Sequence, residues 1–212
     1  MRAVLFDVDG TLWDSVPVIR EAWNRVFAGN PLCGGLQLTL EATYRLMGHT
    51  LPEIAEMVLP DLDREKREQI LEDAVGEELK VLKEQSGFFY PGVRETIREL
   101  AREGYRIGVV SNCQDGYIQV MLAHCGLTEL VLDFECSGVT GMPKDRNILL
   151  LLKRNGIKAE DAVYVGDTAM DETASRRAGI RFVHASYGFG EAERPDAVIR
   201  EMAELPGVLE TL

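Results

Sequence analysis

Positive charge is scarce in this sequence: 23 Lys and Arg stand against 35 Asp and Glu, a formal net charge of -12. Such a chain repels nucleic acid and anionic lipid, which are held mainly by Lys and Arg on phosphate, so neither is expected and the partner should be a small molecule. Long apolar runs are also missing. The opening MRAVLFDVDG carries one Arg, and its apolar stretch is broken by Asp7 and Asp9, too short and too charged for a signal peptide or a membrane span. A cytoplasmic location is the expectation. Cysteine is limited to Cys33, Cys113, Cys125 and Cys136, without the close pairing of a metal knuckle or redox motif, which reads as free thiols. What is present is apolar material enough for a core: 46% hydrophobic in 212 residues supports one full domain plus a smaller appendage and excludes disorder. A monomer or a homodimer is expected.

Arg2 to Val8 is a β-branched and aliphatic run of the length of a strand buried on both faces. Comparable runs recur at Tyr105–Val110, Ala162–Val165 and Arg181–His184, each preceded by a helical segment and a glycine: Gly104, Gly156 and Gly179. That alternation predicts an α/β fold with a parallel sheet. Between the first run and the second lie roughly a hundred residues without a convincing strand, too long for a crossover and so an inserted domain. Its segments read as helices over Pro17–Ala28, about Thr39–Leu46, a short one capped at Thr50-Leu51-Pro52-Glu53, and a long one opened by Asp63. In the last, Ile70, Leu71, Ala74, Val75, Leu79 and Leu82 form one apolar stripe. The chain returns to the α/β body near Pro91-Gly92, with Val93, Ile97, Leu100 and Ala101 facing the core.

Three of the runs end in Asp7, Ser111 and Asp167, and ligands of open parallel sheets bind beyond the carboxyl ends of strands, so these side chains can converge. Asp7-Val8-Asp9-Gly10-Thr11 sets two carboxylates at such an end, where Gly10 permits a turn that brings them together; an ordinary Asp-Gly turn is the structural alternative. Gly166-Asp167-Thr168-Ala169-Met170-Asp171 repeats the arrangement at the start of a helix. Four carboxylates in one crevice need protons or a cation, and oxygen donors suit magnesium.

Taken in order, these segments resemble the haloacid dehalogenase superfamily. Asp7-Val8-Asp9-Gly10-Thr11-Leu12 is similar to its first motif, Val110-Ser111-Asn112 to its second, and Gly166–Asp171 to its fourth, while Lys144 lies where the third supplies a lysine. Many relatives carry that Lys just before a proline, whereas Gly141-Met142-Pro143-Lys144 has it just after. Either the loop delivers Lys144 by the same reach or the charge comes from elsewhere. The helical insertion resembles the cap of the phosphoglycolate phosphatase-like and β-phosphoglucomutase-like branch. The resemblance implies a Rossmann-like parallel sheet core over residues 1–14 and 91–212, with an inserted α-helical cap domain over 15–90.

It further implies a Mg2+-dependent phosphatase acting on a small phosphorylated metabolite. Asp7 would be the nucleophile and Asp9 the general acid and base. The metal would sit on the Asp7 carboxylate, the Asp9 backbone carbonyl, Asp167 and Asp171, with Ser111, Asn112 and Lys144 on the phosphoryl group. Substrate choice would fall to the cap and the loop after the first motif, where Trp13, Asp14, Arg45, Gly48, His49 and Thr50 are candidates. Arg45 reads equally well as solvated, His49 as structural and Trp13 as hinge packing. The aromatics of Ser186-Tyr187-Gly188-Phe189-Gly190 are expected to pack beneath the site. A phosphomutase would share every motif. A dehalogenase or phosphonatase is disfavoured by Asp9, and a catalytically silent binding protein would be free to lose carboxylates that all remain.

Overall fold

The computed structural model describes residues 2–212. Strand β1 (Ala3–Phe6) is buried along its whole length, as a central parallel strand must be. Its alternating side chains feed two apolar layers: Val4 and Phe6 enter one core cluster, Ala3 and Leu5 the other. Two further strands, β2 (Trp13–Asp14) and β3 (Phe88–Phe89), pair antiparallel with Trp13 opposite Phe89. The remaining strands are β4 (Arg106–Ser111), β5 (Val131–Cys136), β6 (Ala162–Gly166), β7 (Arg181–Ala185) and β8 (Ala197–Ile199). With β1 they make a six-stranded parallel sheet in the order β5-β4-β1-β6-β7-β8. β1 therefore lies between β4 and β6, and Asp7, Ser111 and Asp167 fall at the ends of three adjacent strands.

Four strands depart from the sequence expectation. β5 was hidden because Asp133 and Glu135 interrupt its apolar pattern; both pair with Arg154, at 2.7 and 3.0 Å. β8 is a three-residue edge strand. The ribbon of β2 and β3, two residues each, overturns the expectation of no strand between the first two core strands and joins both ends of the insertion at one place.

The insertion holds α1 (Val16–Gly29), α2 (Leu40–Tyr44), α3 (Leu51–Val58) and α4 (Arg64–Glu84). Thr39 and Asp63 cap α2 and α4 with their side chains, and Thr50 and Glu53 form a capping box on α3. α1 packs along α4, burying Trp23 and Phe27 against the stripe that contains Leu71 and Ala74. At about 1.5–3 kcal/mol per buried large apolar side chain, this face is what keeps the helices together. In the core, α5 (Val93–Arg102), α6 (Tyr117–Cys125) and α10 (Leu205–Thr211) cover one face of the sheet. After the four-residue α7 (Ser137–Thr140), α8 (Lys144–Arg154) and α9 (Ala169–Ala178) cover the other. Among the described residues no helix is long and apolar enough to cross a membrane, and all four cysteines are free thiols.

Candidate active site

The chain leaves β1 at Asp7, whose N–H still bonds Val165 of β6 at 2.9 Å. It then winds into a tight turn in which Leu12 N–H bonds the Val8 carbonyl at 2.8 Å and Gly10 N–H the Trp13 carbonyl at 2.9 Å. Gly10 has φ +82, and a Cβ there would lie 2.1 Å from Asp167 Oδ2, so only glycine lets the turn press against the acid from β6. Asp167 accepts Phe189 N–H at 2.7 Å and faces the Thr11 hydroxyl at 3.4 Å. Asp171, in the first turn of α9, accepts the N–H and hydroxyl of Thr168 at 3.0 and 2.7 Å in a capping box.

Asp7, Asp167 and Asp171 are buried and place carboxylate oxygens within 4.8 Å of one another. Lys144, 4% exposed, sets Nζ 2.6 Å from Asp171 Oδ1 and 3.0 Å from Asp7 Oδ1. Its reach follows from its place as the first residue of α8: helical Cβ bonds lean toward the N-terminus, so the side chain projects past the helix start into the crevice. Burial works against its charge, but Asp171 and Asp7 outweigh burial and hold the ammonium above its ordinary range. Although Lys144 is near, Asp7 Oδ1 is a buried oxygen that receives no hydrogen bond of proper angle. Three acids against one lysine, with the Lys144 ammonium as the one group facing that oxygen, form a donor set suited to a hard divalent cation. Without one, burial lifts Asp7 to about 6, Lys144 opposing and Asp171 assisting, and raises Asp167 as well.

Asp9 points elsewhere. Its Oδ1 accepts the Tyr117 hydroxyl at 2.5 Å and the Ser15 hydroxyl at 3.0 Å, and burial pushes its carboxyl up to about 7 against those hydrogen bonds. Two carboxylates two residues apart thus differ in surroundings: one sits in the acid cluster, the other lies outside it and is bonded by two hydroxyls. A general acid needs that setting. Ser111 is buried beside them, and Asn112 donates its amide to the Gly48 carbonyl of the cap at 2.7 Å.

Asp7, Asp9, Ser111, Asn112, Gly48 and His49 line one narrow cavity of about 40 Å³. The other candidates for substrate choice do not. Trp13 is fully buried against Phe89 and Tyr117, at ring distances of 5.5 and 5.6 Å. Asp14 accepts the Val16 N–H and the Tyr44 hydroxyl, tying the turn to α2. Arg45 is 75% exposed on its side chain and bonds Glu41, and Thr50 serves as the cap of α3. The Ser186–Gly190 loop does more than pack. Tyr187 bonds the Thr11 carbonyl and Phe189 meets Tyr44 edge to face, while the Phe189 N–H fixes Asp167.

Sequence reasoning missed Ser15 and Tyr117, which bond Asp9, and Glu78 with Gln114, which line the cavity. Only Glu78 left a signal. It falls four before Leu82 and seven after Leu71, an acid inside the apolar stripe of α4, and it is 1% exposed.

A parallel sheet with a helical insertion, and an acid cluster with a lysine at adjacent strand ends, is the arrangement of a haloacid dehalogenase-like hydrolase fold. The family model described as haloacid dehalogenase-like hydrolase matches residues 4–185, and the chain belongs to that family. Phosphoglycolate phosphatase of Pseudomonas savastanoi pv. phaseolicola is 30% identical over 99% of this chain and 80% of its own. That of Yersinia pestis is 29% identical over 97% and 91%. Among solved structures, a haloacid dehalogenase-like family hydrolase from Streptococcus pneumoniae superposes with TM-score 0.84 at 21% identity, covering 99% of this chain and 98% of that one. β-Phosphoglucomutase from Clostridium difficile gives 0.81 at 16%, covering 98% and 96%; likeness at these identities speaks for the fold. Within the family this chain is an enzyme of the phosphatase type.

Proposed function

We propose that the chain hydrolyses small phosphate monoesters in two displacements centred on Asp7. An Asp7 oxygen attacks phosphorus, the ester oxygen leaves with the proton of Asp9, and an aspartyl phosphate forms. Asp9, now a carboxylate, takes a proton from water as that water attacks the same phosphorus, and phosphate departs with Asp7 restored. The setting of Asp9, two residues from the acid cluster at Asp7 and bonded by the Ser15 and Tyr117 hydroxyls, is the observation that carries this reading. Lys144 offsets charge on the transferring group, and Ser111 with the Asn112 N–H binds its oxygens.

Asp7, Asp167 and the Asp9 backbone carbonyl would hold magnesium, which supplies charge neutralisation for nucleophile and phosphoryl group together. Asp171 suits an outer place, since both its oxygens are already engaged by Lys144 and Thr168. Free thiols accord with a reducing cytoplasm. Hydrolysis is favoured over the mutase alternative because a second phosphoryl group needs its own cation, and among the described residues no Lys or Arg lines the cavity. p-Nitrophenyl phosphate with magnesium, run beside Asp7→Asn, tests the reading: wild type turns over and the variant does not. A wild type as inert as the variant across a panel of phosphate esters ends the enzyme reading.

A further inference from the structure

Tyr117 of α6 is buried with its ring edge-on to Trp13 at 5.6 Å, and it lines the same cavity as Asp9. Its hydroxyl lies 2.5 Å from Asp9 Oδ1, and the hydroxyl of buried Ser15 lies 3.0 Å from the same oxygen. The two hydroxyls are 2.5 Å apart and either can donate to the other, so in every arrangement of their protons Oδ1 accepts at least one hydrogen bond. Ser15 stands at the N-cap of α1, where a serine hydroxyl ordinarily accepts a backbone N–H of the first turn, yet it makes no such bond; the Val16 N–H goes to Asp14 instead. The Ser15 hydroxyl is thereby free for Asp9. A phenylalanine at 117 would fill the same space, so what the Tyr117 hydroxyl adds is this contact. Oδ2 of Asp9 takes no hydrogen bond from any described residue, which leaves it as the carboxyl oxygen open to substrate.

We propose that Tyr117, seconded by Ser15, is a positioning residue for proton transfer: by engaging Oδ1 it fixes the rotation of the Asp9 carboxyl and turns Oδ2 toward the ester oxygen that leaves. The inference rests on the phosphatase reading above and adds a residue to the same site. In the first displacement the bond from Asp7 oxygen to phosphorus forms as the bond from phosphorus to ester oxygen breaks, and the departing oxygen takes its electron pair and the proton held on Oδ2. The carboxylate that remains keeps the hydroxyls on Oδ1, so Oδ2 is again the oxygen that receives the proton of attacking water. Tyr117 belongs to the core, so its hold does not depend on the cap, whereas Ser15 sits where the insertion begins. A misplacement of about 1 Å in such a group can cost about 10²-fold in rate. That cost falls on leaving groups that need a proton and spares those that do not.

The test measures kcat/KM for phenyl phosphate and p-nitrophenyl phosphate, with magnesium, in wild type, Tyr117→Phe and Ser15→Ala. The two esters share a ring and differ in the basicity of the leaving oxygen, and kcat/KM reads the steps up to the aspartyl phosphate, so the later work of Asp9 on water does not enter. Tyr117→Phe is expected to widen the preference for p-nitrophenyl phosphate about tenfold, the loss falling on phenyl phosphate. A ratio unchanged in that variant overturns the proposal, because a hydroxyl that merely ties α6 to the turn lowers both esters alike. Should Tyr117→Phe fold poorly, Ser15→Ala decides, since the helix cap on Asp14 survives it: the same shift, severalfold, supports the proposal and an unchanged ratio ends it. Wild type inert toward both esters instead fells the phosphatase reading on which the proposal stands.

Discussion

Lys144→Met is the sharpest probe of the acid cluster. The substitution keeps the length of the side chain and removes the one positive charge that lies 2.6 Å from Asp171 and 3.0 Å from Asp7. All three groups are almost fully buried, so solvent cannot replace what is lost. Breaking a buried pair costs about 3–5 kcal/mol, because the partner charge is left uncompensated. For a chain of this size that corresponds to a fall in Tm of roughly 6–20 °C. Magnesium should return part of the fall, being a second source of positive charge at the same oxygens, whereas wild type gains less. Loss of one preorganised stabiliser of transferring charge should lower kcat by about 10²–10³-fold. Thermal melts in chelator and in magnesium, beside steady-state kinetics, read both effects. A kcat within about threefold of wild type refutes the assignment, and so does a Tm loss that magnesium leaves untouched.

Asp9→Asn should give a burst of p-nitrophenol from p-nitrophenyl phosphate, whose leaving group needs no proton, and then stall because water lacks its base; for an alkyl phosphate kcat should fall about 10²–10⁴-fold. Equal loss in both phases argues against Asp9 as acid and base. In wild type, with Asp9 at about 7, the phosphorylation rate for an alkyl ester should decline as pH rises through that value, and a flat profile contradicts the role. Gly10→Ala drives a methyl against Asp167 at a backbone angle suited to glycine, so the magnesium needed for half-maximal rate should rise about 10–100-fold, and an unaltered titration excludes the role given to that contact. Burial lifts Glu78 from 4.5 to about 8, so the folded chain retains a proton that the unfolded chain releases. This share of stability is complete below about 4.5 and disappears as pH climbs toward about 8; Glu78→Gln should flatten the slope across that window by at most about 1.4 kcal/mol per pH unit, which denaturant melts at several pH values measure. An unchanged slope would mean that the buried acid is already ionised.

The central strands were legible because burial on both faces demands an unbroken apolar run, and the helices because their caps are written in Thr39, Thr50 and Asp63. β5 escaped because its acids are satisfied by Arg154, a partner about twenty residues away that no local pattern reveals. The acid cluster could be read as a set since Asp7 and Asp167 each follow a strand and Asp171 opens the helix after the second. The surroundings of Asp9 could not, because Tyr117 lies on α6, 108 residues away in sequence, and meets the turn only through the tertiary fold. Lys144 was visible as a residue, but its reach depends on where α8 begins. Glu78 was visible as an exception to its own stripe, and the partners that give it meaning, Trp23 and Gln114, belong to other elements.

The two-residue ribbon joining Trp13–Asp14 to Phe88–Phe89 has a consequence for descent. The whole helical insertion, with the part of the cavity wall it supplies, is threaded through one seam, and the six-stranded sheet closes without it. A lineage can therefore exchange, lengthen or trim the intervening helices at that seam while leaving the aspartates in register, so that new substrates are acquired by replacing a module and not by rebuilding an enzyme.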